Sequence, residues 1–140
     1  MANIILVGVD GSDTARKAAQ TAAELAVATG ATLHVLTAFD KDEIEKIEVG
    51  TDMWDVSSYD EAESVAETAA RTIKDTGAVI EVSAMQAKPA DSLVERAKDL
   101  DARLIVVGNR RVQGIGRILG SVAASVAQHA PCDVYIVKTV

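Results

Sequence analysis

Leu104-Ile105-Val106-Val107-Gly108-Asn109-Arg110-Arg111-Val112-Gln113-Gly114-Ile115-Gly116-Arg117-Ile118-Leu119-Gly120-Ser121-Val122 reads as an apolar strand, a loop rich in glycine and arginine, and the entry to an alanine-rich helix. That order suits a phosphate. A helix N-terminus offers unpaired N–H groups and the positive end of a dipole, glycines let the backbone approach closely, and arginines attract anions. The stretch therefore predicts a nucleotide site built on a strand-to-helix turn.

Working outward, the same alternation runs through the chain. Ile4–Val9 is a short apolar run of the kind expected for a strand buried on both faces, and it ends in the turn and helix-cap cluster Asp10-Gly11-Ser12-Asp13. Ala15, Ala18, Ala22, Leu25 and Ala26 then recur at helical spacing, with Gly30 placed to end the helix. Thr32–Ala38 predicts a second strand. Residues 56–76 predict a helix with Ala62, Val65, Ala66, Ala69 and Ile73 on one face and Gly77 as its stop, and Val79–Ala84 a third strand. Thr29-Gly30-Ala31 and Thr76-Gly77-Ala78 repeat the same helix-to-strand chemistry. Pro89 fits a first helical turn, followed by the apolar face Leu93, Val94, Ala97 and Leu100. Leu104–Val107 is the fourth strand, Ser121–His129 a helix stopped by Pro131, and Val134–Val137 the fifth strand. Five strands separated by helices imply an α/β fold with one doubly wound parallel sheet, because parallel neighbours require crossover connections. Ligands of such sheets bind where the strand order reverses, here between the ends of the first and fourth strands, at Asp10 and Gly108.

These residues together resemble the universal stress protein family, in its ATP-binding branch. The resemblance runs from Ile5-Leu6-Val7-Gly8-Val9-Asp10-Gly11-Ser12, through His34-Val35, to Gly108-Asn109-Arg110, Leu119-Gly120-Ser121-Val122 and Ala130-Pro131-Cys132-Asp133-Val134. It implies one domain over residues 1–140 with strand order 3-2-1-4-5, helices on both faces, and a Rossmann-like fold of the adenine nucleotide alpha hydrolase type. It also implies ATP, accompanied by Mg, between the first and fourth strands. Carried over by position, Gly8, Val9 and Asp10 sit beside the nucleoside, with Asp10 near the ribose or metal, and Val35 presents its backbone to adenine. Val107 and Gly108 line the site, Asn109 and Arg110 belong to the same binding loop, and Gly120, Ser121 and Val122 hold the phosphates. The family further implies a homodimer through the last strand, Val134–Val137.

Two features depart from the family's ATP signature. Arg111 stands where the signature has its second glycine, and the span from Gly108 to Gly120 is one residue short. An arginine at a position requiring positive φ is strained, although Gly114 and Gly116 offer flexibility in a shifted loop. Two functions thus compete: an ATP-binding regulatory stress protein with at most slow hydrolysis, and a dimeric interaction module without nucleotide. A phosphate-relay receiver domain is rejected, because the third strand ends in Ala84-Met85-Gln86 without a carboxylate. No Walker lysine-serine signature and no readable Ser-His-Asp constellation marks a catalyst.

Composition sets the outer bounds. The 140 residues fit one packed core, and 49% apolar content is ordinary for a globular chain. A formal charge of −7 argues against broad binding of nucleic acid or anionic membrane. Cys132 is the only cysteine, which excludes an internal disulfide and a multi-thiolate zinc site. Met1-Ala2-Asn3 enters the first strand without a basic leader, and no run approaches the roughly 18 apolar residues of a membrane span, so the expectation is a soluble, cytoplasmic protein. Each singled-out residue also has a plainer role. Asp10 suits a turn, Ser121 an N-cap, and Arg110, Arg111 and Arg117 a solvated basic patch. His34, His129 and Cys132 suit structural positions, and the acidic segment Asp40–Ser57, which contains Trp54, is long for a connection and reads as a cover or partner surface.

Overall fold

The computed structural model describes residues 1–40, 52–109 and 119–139. Its strands are β1 (Ile4–Gly8), β2 (Thr32–Phe39), β3 (Val79–Gln86), β4 (Leu104–Gly108) and β5 (Asp133–Val137). Its helices are α1 (Asp13–Thr29), α2 (Asp52–Ile73), α3 (Pro89–Leu100) and α4 (Ser121–His129), and a short 3-10 turn, Lys74–Thr76, follows α2. The sheet is parallel in every pairing, as the alternation of strands and helices implies, and its order is β3-β2-β1-β4-β5, as the family resemblance implies.

Alternation of side chains along the strands divides the core into two layers. Ile5, Val7, Leu33, Val35 and Val106 face α1 and α2, where they meet the small face Ala15, Ala18, Ala19, Ala22, Ala23 and Ala26 of α1. Six buried alanines let α1 lie close against the sheet. Leu6, Leu36, Ile105 and Val107 face the other way, onto Leu93 and Ala97 of α3 and Ala123 and Val126 of α4. Leu6 and Leu36 are almost wholly excluded from water, and each such side chain contributes about 1.5–3 kcal/mol of transfer free energy.

Local chemistry fixes where the helices begin and end. Ser12 caps α1, its Oγ accepting the Ala15 N–H at 3.2 Å, and Gly30 ends it in the left-handed region at φ 69°. Gly77 repeats that device at φ 88°, so the two Thr-Gly-Ala segments are conformational as well as sequence repeats. α3 ends instead on Asp101 at φ 52°, an acidic residue in a conformation that glycine usually takes.

Several boundaries differ from expectation. β2 continues to Phe39 and β3 to Gln86, since their parallel ladder extends to a Phe39–Gln86 pair. β1 stops at Gly8, and α2 begins at Asp52 and ends at Ile73, beyond which the 3-10 turn takes over. Residues 52–57 of the acidic segment are therefore helical and not loop, with Trp54 in the first turn of α2. Residues 41–51 lie outside the described residues.

Candidate ligand site

The ends of β1 and β4 part company. Beyond β1 the Val9 N–H turns to the Leu36 carbonyl of β2 at 2.9 Å, whereas beyond β4 the Asn109 N–H turns to the Val137 carbonyl of β5 at 3.2 Å. Between the diverging ends lies a crevice of about 200 Å³. Gly8, Val9, Asp10, Val107, Gly108 and Val122 line it, together with Ser12, Thr14 and Ala15 from the start of α1. Leu36 and Ala38 of β2 and Pro89, Ser92 and Leu93 from the first turn of α3 complete the walls. The crevice is thus the topological switch point of the sheet, apolar over most of its surface and polar at Asp10, Ser12, Thr14 and Ser92.

Two glycines allow the walls to close to this width. A β-carbon on Gly8 would come within 3.2 Å of both δ-carbons of Leu93, and one on Gly108 within 2.8 Å of Thr14 Cγ2 and 3.0 Å of the Thr14 carbonyl oxygen. Gly108 therefore has a packing duty as well as a place on the wall, because the first turn of α1 rests on it. Asp10 also serves twice. Its Oδ1 accepts the Ser12 N–H at 2.9 Å, closing a turn that passes through Gly11 at φ 86°, while the residue remains on the crevice rim.

At the α4 end of the site, Gly120 and not Ser121 is the N-cap, with extended backbone at φ −63° and ψ 159°. Ser121 is the exposed first helical residue, so its expected capping bond is not made. The Gly120 N–H instead donates to Asn109 Oδ1 at 2.7 Å. The amides of Ser121, Val122 and Ala123 have no acceptor within their own helix and point along its positive end. Val35 stands apart from the crevice. It pairs with Val7 and Val82 and is fully buried in the α1 layer, whereas its neighbour Leu36 reaches the wall. Arg110, Arg111 and Arg117 lie outside the described residues.

Pro89, Ser92, Leu93, Leu36 and Ala38 were not legible as site residues. Ser92 is buried, its Oγ donating to the Pro89 carbonyl at 2.7 Å. A serine on the apolar face of a helix, three residues after its N1 proline, is the one signal that marks this turn in the sequence.

The other conspicuous side chains sit elsewhere. His34 Nε2 lies 2.6 Å from Ser83 Oγ, and its Nδ1 is 3.9 Å from Glu81 Oε1, too long for a hydrogen bond. Burial, then the nearby Arg96 charge, holds the imidazole below its ordinary pKa despite the opposing pull of Glu81. None of these residues lines the crevice. His129 Nδ1 contacts the Ser125 carbonyl one turn back in α4. Cys132 is half-buried, and its thiol is pushed up by burial and by Asp133, away from thiolate chemistry. Among the described residues there is no cluster of three or more metal-ligating side chains, and no helix long and apolar enough to cross a membrane.

A five-stranded parallel sheet in this order, with a crevice at its switch point and a helix N-terminus on its rim, defines a doubly wound α/β domain of the Rossmann-like kind. Residues 1–138 match the model of the universal stress protein family, and the chain belongs to that family. A universal stress protein of Mycobacterium tuberculosis is 32% identical over 148 residues, covering 96% of this chain and 95% of that protein. One from Thermus aquaticus is 32% identical over 140 residues, covering 99% and 100%. Among solved structures, a universal stress protein in complex with cAMP aligns with a TM-score of 0.76 at 34% identity, covering 98% of this chain and 97% of that one. The universal stress protein of Archaeoglobus fulgidus in complex with dAMP aligns at 0.70 and 26%, covering 99% and 98%.

Proposed function

We propose that this protein binds an adenine nucleotide, ATP with Mg, in the crevice between β1 and β4, and acts as a cytoplasmic, dimeric regulator of the stress response with little or no catalysis. The observation that carries this reading is the joining of Gly8, Val9, Asp10, Val107, Gly108 and Val122 in one crevice whose rim is the N-terminus of α4. The chemistry fits the ligand. Leu36, Ala38, Pro89 and Leu93 offer an apolar wall for a base, and the Asp10 carboxylate is an acceptor for ribose hydroxyls or a Mg counter-ion. The amides of Ser121 and Val122 face the phosphates, and Val35 and Arg110 remain assigned by resemblance. The complexes of relatives with cAMP and dAMP support an adenine nucleotide and leave its phosphate number to experiment. Bound Mg would screen phosphate charge. Binding then favours whichever conformation or dimer arrangement holds the crevice closed. The exposed edge of β5, with Tyr135 46% exposed, is the surface assigned to the homodimer.

The test is to denature the purified protein, identify released nucleotide by chromatography and mass, and titrate stripped protein with ATP, ADP, AMP and cAMP, with and without Mg. Saturable ATP binding is expected. Protein that carries and binds no adenine nucleotide would instead be the interaction module that Arg111 and the shortened loop favour.

A further inference from the structure

Two residues beyond β5 the chain still packs against the body of the protein. Thr139 is buried, and its Oγ1 donates to the Asn109 carbonyl at 2.9 Å. Its own carbonyl accepts from Lys17 Nζ of α1 at 3.2 Å. Asn109 is held again by its N–H on the Val137 carbonyl, at 3.2 Å, and its side chain reaches the Gly120 amide at 2.7 Å. Three segments, β4, the end of β5 and the start of α4, thus meet at Asn109, and α1 joins them through Thr139. Thr139 itself lines no part of the crevice.

We propose that Thr139 is a positioning residue for the nucleotide site: through Asn109 it sets the N-terminus of α4 against the end of β4, so that ligand affinity depends on the state of the C-terminal strap. This rests on the nucleotide reading above and deepens it by naming a control on the same site. Two bonds on the Asn109 backbone fix the point from which its carboxamide reaches out, and the carboxamide oxygen accepts the Gly120 N–H. With the Gly120 amide engaged by protein, the phosphates fall to the amides of Ser121 and Val122, whose place in space then follows Asn109. The coupling is reciprocal, so a bound nucleotide also tightens the strap.

The experiment compares Thr139→Val, which keeps the shape and removes the hydroxyl, with Thr139→Ser, which keeps the hydroxyl. Lys17→Met, on the exposed face of α1, loosens the strap from its other end. Two quantities are read: hydrogen exchange of the Gly120 amide by NMR in ligand-free protein, and the Kd for ATP. Thr139→Val is expected to speed Gly120 exchange and weaken ATP binding about fivefold to tenfold, the scale of one lost hydrogen bond, with Thr139→Ser close to wild type and Lys17→Met between them. Unchanged Gly120 exchange in both Thr139→Val and Lys17→Met overturns the relay, as does faster exchange with an unaltered Kd. If wild type binds no adenine nucleotide, the functional reading fails separately, and the relay to α4 stands or falls on the exchange result alone. Should Thr139→Val not fold, Lys17→Met decides both quantities.

Discussion

Gly108 lies beneath Thr14, so close that a β-carbon on the glycine would stand 2.8 Å from Thr14 Cγ2 and 3.0 Å from its carbonyl oxygen. The side-chain methyl has some freedom to move, but the carbonyl belongs to the first turn of α1 and does not. Gly108→Ala is therefore expected to cost about 1–3 kcal/mol, as overpacking does, and Thr14→Ser in the same background to recover only part of it. Urea unfolding of the two single variants and the double variant measures this. Full recovery would place the whole conflict in the methyl group.

Gly120 is buried at the cap of α4, and in the proposed site a Leu side chain there would stand between the phosphates and the α4 amides. Gly120→Leu is expected to abolish ATP binding with the circular dichroism spectrum retained. Asp10→Ala tests the opposite wall. It removes an acceptor and the turn bond to Ser12, and is expected to weaken ATP binding by about 1–2 kcal/mol, roughly fivefold to thirtyfold by titration calorimetry.

His34 makes stability depend on pH. Its folded-state pKa lies below the ordinary value because burial and Arg96 oppose its charge. As pH falls through about 6.5, the unfolded chain takes up this proton first, so the folded state loses stability until the pH reaches the lower folded value. Above about 6.5 both states are neutral and the effect vanishes. Unfolding free energies at pH 7.5 and 5.5 are expected to fall more for wild type than for His34→Gln, and equal falls would remove His34 as the cause.

The β5 edge carries the dimer prediction. β5 pairs only with β4 among the described strands, and Tyr135 points outward from it. Analytical ultracentrifugation is expected to show a dimer, and Tyr135→Lys a monomer with unaltered secondary structure, since a charge on an edge strand opposes pairing with another. A wild-type protein that stays monomeric at all concentrations contradicts this.

The fold was legible because β1, the Ser12 cap, the alanine face of α1 and the paired stops at Gly30 and Gly77 each state their role within a few residues. The site was legible where it coincides with strand ends and with the start of α4. Leu93 carries an apolar periodicity that shows it is buried but not that its δ-carbons meet Gly8, a contact between residues far apart in sequence. Val35 and Leu36 differ by one position, and in a strand one position exchanges the two faces, which neither residue's own chemistry reveals. Gly120 and Ser121 are both good caps, so backbone geometry had to choose between them.

The parting of β1 and β4 has a mechanical side. Three residue pairs join these strands, from Ile5–Leu104 to Val7–Val106, whereas β1 and β2 share five pairs, as do β4 and β5. The sheet is a three-stranded plank and a two-stranded plank meeting along a short seam, with α1 laid across the join at Thr14 and Gly108. A molecule lodged in the crevice touches both planks where the seam has run out of rungs. It acts there as a dowel, bridging the two parts of the sheet beyond their last shared rung.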